Sequence, residues 1–372
     1  MSTTYTLSSE YLSKEKIEEA FRILNNAKTK SDFINNLPKS KAISRKQIVK
    51  ELIEHYEKEK LVFVLGAGVS MSFGLPNWDT LLQKLMITTI EKEQNVSTVL
   101  SKLFTNVFSP SPLIAGRYLQ KFYDDKNLSF ENAVRKVLYA EIDINKKSLL
   151  MDEIINFCVS PGKSPNLDSI ITYNFDDILE QRLVNVGVEV PHKPIYGIGM
   201  NPDGHLPIFH VHGFLQQNGE LTEQNQITFG ELVYHKQYID IYSWNNIVQI
   251  NKFRDSNCLF IGSSLTDPNT RRLLDIAKKQ NGENEGNHYI FKMRHKEDIV
   301  KIKLQSLLKE NKELLGEKSS AELNFDETVK FLIEIIERFE ESDTTSFGVK
   351  TIWIDKWDDI PEIMKEVRLR KK

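Results

Sequence analysis

Four short segments hold the residues whose types and spacing could do chemistry. In Ile208-Phe-His210-Val-His212-Gly213, alternation puts both histidines on one strand face, opposite Phe209 and Val211. His212 precedes a glycine, so it sits at the strand's end, where a neutral imidazole can take a proton near neutral pH. His210 lies one step deeper and reads as a hydrogen-bonded core residue. No cysteine or carboxylate nearby completes a ligand set, so no metal is expected. In Ile171-Thr-Tyr-Asn174-Phe-Asp176-Asp177, Asn174 offers a donor and an acceptor, and Asp176 offers two acceptor oxygens. Asp177 reads as a helix cap.

The other two segments suit a phosphate or a ribose. Gly66-Ala67-Gly68-Val-Ser70 presents small residues and a hydroxyl immediately after an apolar run, where a phosphate can approach backbone N–H groups closely. A dinucleotide fingerprint would place a third glycine at position 71, and Met71 stands there. Gly262-Ser263-Ser264 repeats the glycine-hydroxyl turn, with Asp267 placed to accept from a ribose hydroxyl or to cap the following helix. In Asn77-Trp78-Asp79, Asn77 or Asp79 can cap a helix, and Trp78 either covers a ligand or packs beneath the loop. Gly162-Lys163-Ser164 resembles the tail of a triphosphate loop. Phe157 occupies the required glycine position and Pro165 follows, so it reads as a turn.

Each segment needs a strand to present it. Leu61–Leu65, Ser169–Thr172, Ile208–Val211 and Cys258–Ile261 are short, apolar and rich in β-branched residues, as strands buried on both faces are. His288–Met293 and Val349–Ile354 look alike. Helical patterns separate several of them, which implies βαβ units: an α/β fold with an open parallel sheet and helices on both faces. Residues 1–58 read as a helical N-terminal extension, with Ser44 capping its last helix, and residues 59–372 as the sheet domain. Within that domain, 80–157 reads as a helical insertion, 295–345 as charged amphipathic helices and 349–354 as the last strand.

The 372 residues carry 49 Lys plus Arg against 52 Asp plus Glu, a formal charge of −3. That balance gives no general pull toward nucleic acid or anionic membranes, so direct nucleic-acid binding is not expected. No apolar run approaches the roughly 20 residues of a membrane span. The N-terminus shows no secretory signal, and two isolated cysteines build neither a disulfide scaffold nor a four-thiolate zinc site. The expectation is a soluble cytoplasmic protein.

The order Gly-Ala-Gly-x-Ser, Asn-x-Asp, His-Gly, Gly-Ser-Ser resembles the sirtuin superfamily. GLPNWDTLL, ITYNFDDILE and VHGFL look closest to its SIR2-like branch in bacterial anti-phage defence. The resemblance runs from about Leu61 to Leu274. It implies a Rossmann-like NAD-binding sheet, with NAD as substrate. Gly66, Ala67, Gly68 and Ser70 would lie on the diphosphate side, with Trp78 and Asp79 beside them. Asn174 would order the nicotinamide ribose and a water, Asp176 would hold the carboxamide, and His212 would be the base. Gly262, Ser263 and Asp267 would lie toward the adenosine ribose. The paired Cys-x-x-Cys zinc module of the deacylases is missing, and Leu75-Pro-Asn-Trp-Asp79 replaces their Pro-Asp-Phe-Arg. The resemblance therefore implies an NAD glycohydrolase rather than a deacylase or an ADP-ribosyltransferase. An NAD- or ADP-ribose-sensing scaffold is the alternative. A hydrolase of this kind needs restraint in its own cell, which implies control by assembly or a trigger and an expected homo-oligomer; the resemblance to the SIR2 subunits of two-gene defence systems implies a HerA-type ATPase partner.

Overall fold

The computed structural model describes residues 14–37, 39, 43–94, 112–159, 167–282, 288–310 and 323–370. The Gly162-Lys163-Ser164 turn lies outside them. The chain forms two compact units, one of residues 1–42 with 293–346 and the other of residues 43–292 with 347–372. The division differs from the expected one. The Arg45–Glu57 helix belongs with the sheet, and the C-terminal helices belong with the first two helices.

The larger unit is built on a parallel sheet of seven strands: β1 (Leu61–Leu65), β2 (Leu167–Thr172), β3 (His192–Ile195), β4 (Leu206–His210), β5 (Asn257–Ile261), β6 (His288–Met293) and β7 (Val349–Ile354). Their order is β3-β4-β2-β1-β5-β6-β7. Six of these are the strands expected from sequence, and the α/β class holds. β3 escapes the apolar pattern because His192-Lys-Pro-Ile195 is short, polar and contains a proline. Its place at the sheet edge explains how Pro194 is tolerated.

β1 is buried at all five positions because it has strands on both sides. One core layer sets Val62, Val64, Ile171, Phe253, Phe260 and Leu273 together. Ser44 caps the Arg45–Glu57 helix, its side chain accepting from the Gln47 N–H. That helix buries Ile48, Val49, Leu52, Ile53 and Tyr56 in this unit. Among the described residues of the 80–157 stretch only helices occur: Trp78–Gln94, Pro112–Asp125, Phe130–Leu138 and Leu149–Cys158.

In the smaller unit, the N-terminal stretch forms two helices, Lys14–Asn25 and Ala27–Asn36. Asn26 is extended, and its side chain caps the second helix by accepting from the Thr29 N–H. Phe33 meets Phe331 edge-on, and Lys30 pairs with Glu327 at 3.0 Å. The charged C-terminal stretch supplies the Glu297–Glu310 and Phe325–Ser346 helices.

Among the described residues no helix is long and apolar enough to cross a membrane.

Candidate functional site

The strand registers align four chain ends in one row. His210 of β4 pairs with Thr172 of β2, Thr172 with Leu65 of β1, and Leu65 with Ile261 of β5. The four segments singled out in the sequence therefore leave the carboxyl edge side by side, across about 14 Å at the usual strand spacing. Open α/β sheets bind ligands at this edge, where the strand order reverses. Here it reverses at β1, which leads to β2 on one side and is joined by β5 on the other.

Asn174 and His212 each lie two residues past this row on adjacent strands. The ring of Tyr173 meets that of His212 at 4.8 Å in a T-shaped contact, and Tyr234 flanks it at 6.1 Å. His212 is buried, and its Nε2 has no hydrogen-bond partner. Burial pushes its pKa below the usual histidine value, against a weaker upward pull from Asp267. The ring is thus neutral at pH 7, with an orphaned polar atom that only an added group can satisfy.

The Asn174 amide is fixed. Its Nδ2 donates to the Gly66 carbonyl at 3.1 Å and to Ser70 Oγ at 3.2 Å. The carbonyl accepts only, so the amide cannot be flipped. Its Oδ1 makes no hydrogen bond among the described residues and remains available to a ligand. Ser70 Oγ in turn donates to Asp176 Oδ1 at 3.0 Å, and the Ile178 N–H donates to the same oxygen at 3.2 Å. Burial raises the Asp176 carboxyl to about 6 despite these bonds. Its other oxygen, Oδ2, is unbonded among the described residues.

The glycine loops lock together. Gly66 N–H donates to the Ile261 carbonyl and Gly68 N–H to the Gly262 carbonyl, both at 3.0 Å. A Cβ on Gly66 would lie 2.6 Å from the Gly262 oxygen, and one on Gly68 would lie 2.8 Å from Gly262 Cα. Gly262 itself has φ +65°. These glycines are required by the neighbouring loop before any phosphate arrives. The N–H groups of Val69 and Ser70 also close internal turns. Ala67 N–H is left without a bond among the described residues, as are those of Ser263 and Ser264.

The remaining predicted residues divide. Both oxygens of Asp267 are taken: Oδ1 by the Thr270 N–H and hydroxyl, Oδ2 by the Tyr234 hydroxyl. Asp267 caps the Pro268–Gln280 helix. Ser263 Oγ accepts from the Leu265 N–H at 3.3 Å. Trp78 packs on Phe229 at 4.5 Å and Phe175 at 6.2 Å. Asn77 supplies the cap beside it, accepting from the Thr80 N–H at 2.9 Å, and Asp79 is exposed. Asp177 is a correction. It makes no side-chain cap bond; instead it accepts from the Tyr139 hydroxyl at 2.8 Å and from the Gln217 N–H at 3.2 Å, tying the insertion to the loop after β4. Tyr173, Tyr234 and Glu180 were not singled out. Tyr234 sits in a helix with no motif, so only the packing reveals it. No group of three or more His, Cys, Asp or Glu among the described residues could hold a metal.

Comparison with known proteins adds family information. A sequence model of the SIR2-like domain matches residues 168–314. The NAD(+) hydrolase ThsA of Cytobacillus dafuensis is 20% identical over 337 residues, covering 88% of this chain and 57% of that protein. The NAD(+) hydrolases ThsA of Enterococcus faecium and Acinetobacter baumannii are each 21% identical over 333 residues, covering 59% and 56% of those proteins. The chain spans less than two thirds of the length of these relatives. A SIR2-like domain is thus present within an α/β chain whose distant homologues include NAD(+) hydrolases.

Proposed function

We propose that this chain hydrolyses NAD at the nicotinamide–ribose bond, releasing nicotinamide and ADP-ribose. The observation that carries this reading is the set of unsatisfied acceptors around adjacent strand ends: Asn174 Oδ1, Asp176 Oδ2 and the buried Nε2 of His212. The nicotinamide leaves as a neutral molecule from a cationic ring, so no acid is needed for departure. The protein's task is to hold the sugar and admit one water. Asn174 Oδ1 accepts from a ribose hydroxyl or the attacking water, and neutral His212 takes the proton. Asp176 accepts from the carboxamide N–H. The unbonded N–H groups of Ala67, Ser263 and Ser264 suit the diphosphate and the second ribose. General-base help of this kind is typically worth about 10²–10⁴ in rate.

The test is incubation of the purified chain with NAD and chromatography for nicotinamide, with His212→Ala and Asn174→Ala beside it. Loss of release in both folded variants supports the reading, and full activity in both ends it. NAD binding by calorimetry without any product would favour the sensing scaffold. The proposed homo-oligomer is tested by sedimentation. The matched relatives are named ThsA, so the HerA-type ATPase partner and the role in anti-phage defence rest on the sequence resemblance alone. Co-elution of the two purified proteins tests the partner.

A further inference from the structure

Resting on that reading of the site, we propose that His210 and Glu180 are positioning residues. Together they form a buried hydrogen-bonded pair that clamps the main-chain carbonyl of Asn174 and so aims its free amide oxygen. His210 is 1% exposed. Its Nδ1 lies 3.3 Å from the Asn174 carbonyl oxygen and its Nε2 lies 2.7 Å from Glu180 Oε1. A carbonyl only accepts, so Nδ1 carries a proton. One further proton is shared between Nε2 and the Glu180 carboxyl, and either placement leaves Nδ1–H on the Asn174 carbonyl.

The surroundings of Glu180 agree. Its second oxygen is buried without a partner, so His210 is the side chain that engages its carboxyl. The carboxyl of Asp176 and the thiol of Cys158 also face the pair. The ring of Phe214 lies 4.3 Å from that of His210 and holds its orientation.

The clamp matters because β2 ends at Thr172 and no strand ladder restrains residue 174. Three other bonds restrain it instead. Its N–H donates to Thr172 Oγ1 at 3.1 Å, and its amide donates to Gly66 and Ser70. The carbonyl bond to His210 closes the set. Without it the peptide after Asn174 can rotate, and a displacement of about 1 Å at a reacting group can cost about a hundredfold in rate.

The substitutions Glu180→Gln and Glu180→Leu separate the clamp from simple packing. A glutamine amide can donate to Nε2 and leave Nδ1–H on the Asn174 carbonyl, whereas leucine cannot. We expect Glu180→Gln to keep kcat for nicotinamide release within about threefold of wild type. Glu180→Leu should lose at least tenfold in kcat with KM within about threefold. Equal losses in the two variants, or a rise in KM at constant kcat, would overturn the clamp. Imidazole ¹⁵N NMR of the full chain provides a readout independent of turnover. His210 Nδ1 should carry a proton in both the wild type and Glu180→Gln. A wild-type His210 with a bare Nδ1 would overturn the proposal even if the leucine variant failed to fold. If the wild type releases no nicotinamide, the hydrolase reading falls, and the histidine signal decides the clamp by itself.

Discussion

The amide nitrogen of Asn174 donates to the main-chain carbonyl of Gly66, 108 positions earlier in the chain, at 3.1 Å. This bond joins the loops after β1 and β2 and turns the amide oxygen away from both. In Asn174→Asp a carboxylate oxygen would face that carbonyl, and repulsion would swing the side chain out. We expect nicotinamide release to fall about 10²–10³-fold, the scale of losing one well-placed polar group in a preorganised site. Circular dichroism should remain native. Chromatographic assay of the variant beside wild type checks this.

The buried, neutral state of His212 fixes the sign of the pH dependence. Its pKa lies below the ordinary value of about 6.5, so the base form is already present at neutral pH. The profile of kcat/KM should be flat above about pH 7 and fall on acidification as the imidazole takes up a proton. A rate that rose only above pH 8 would remove the neutral imidazole from its role.

Asp176 sets function against stability. Its carboxyl is raised to about 6 from the usual 3.8, mainly by burial. A carboxyl raised in the folded state is favourable when protonated, at low pH, and its cost is complete once the pH exceeds the folded value. Asp176→Asn removes that cost while an amide oxygen still accepts from Ser70 and Ile178. At pH 8 the variant should be more stable by roughly 2–3 kcal/mol, with the gain vanishing below about pH 4. NAD affinity should fall in parallel. Urea unfolding at the two pH values, with calorimetry at the higher one, measures both effects.

Gly66 and Gly262 are expected to fail as scaffold before they fail as ligand contacts. A methyl group at position 66 meets the Gly262 oxygen at 2.6 Å, and one at 262 meets Val69 N at 2.7 Å on a backbone with φ +65°. Both alanine variants should lose more than about 2 kcal/mol of stability with no NAD present. Unchanged unfolding midpoints with weakened NAD binding would restore these glycines to a purely ligand-facing role.

The strands that run through the middle of the sheet were legible because burial on both faces writes an unbroken apolar run. Leu61-Val-Phe-Val-Leu65 is the clearest. β3 was not legible, because an edge strand does not need such a run and can contain Pro194. Within the site, residue types were visible in the sequence but their engagements were not. Ser70 reads as a donor to phosphate, and the fold turns its hydroxyl onto Asp176. Asp267 reads equally as a cap or a ribose acceptor, and Tyr234, from a segment with no motif, occupies its second oxygen. Gly66 and Gly68 read as room for a ligand, yet the space beside them is filled by Gly262, whose proximity depends on β5 lying next to β1.

That adjacency has a consequence for biosynthesis. The first loop of the site emerges early from the ribosome, while the segment that braces it is translated nearly two hundred codons later. A nascent chain ending before Gly262 lacks the brace for Gly66 and Gly68, however well its first strands have paired. A translation product that stops before Gly262 would therefore lack a finished pocket.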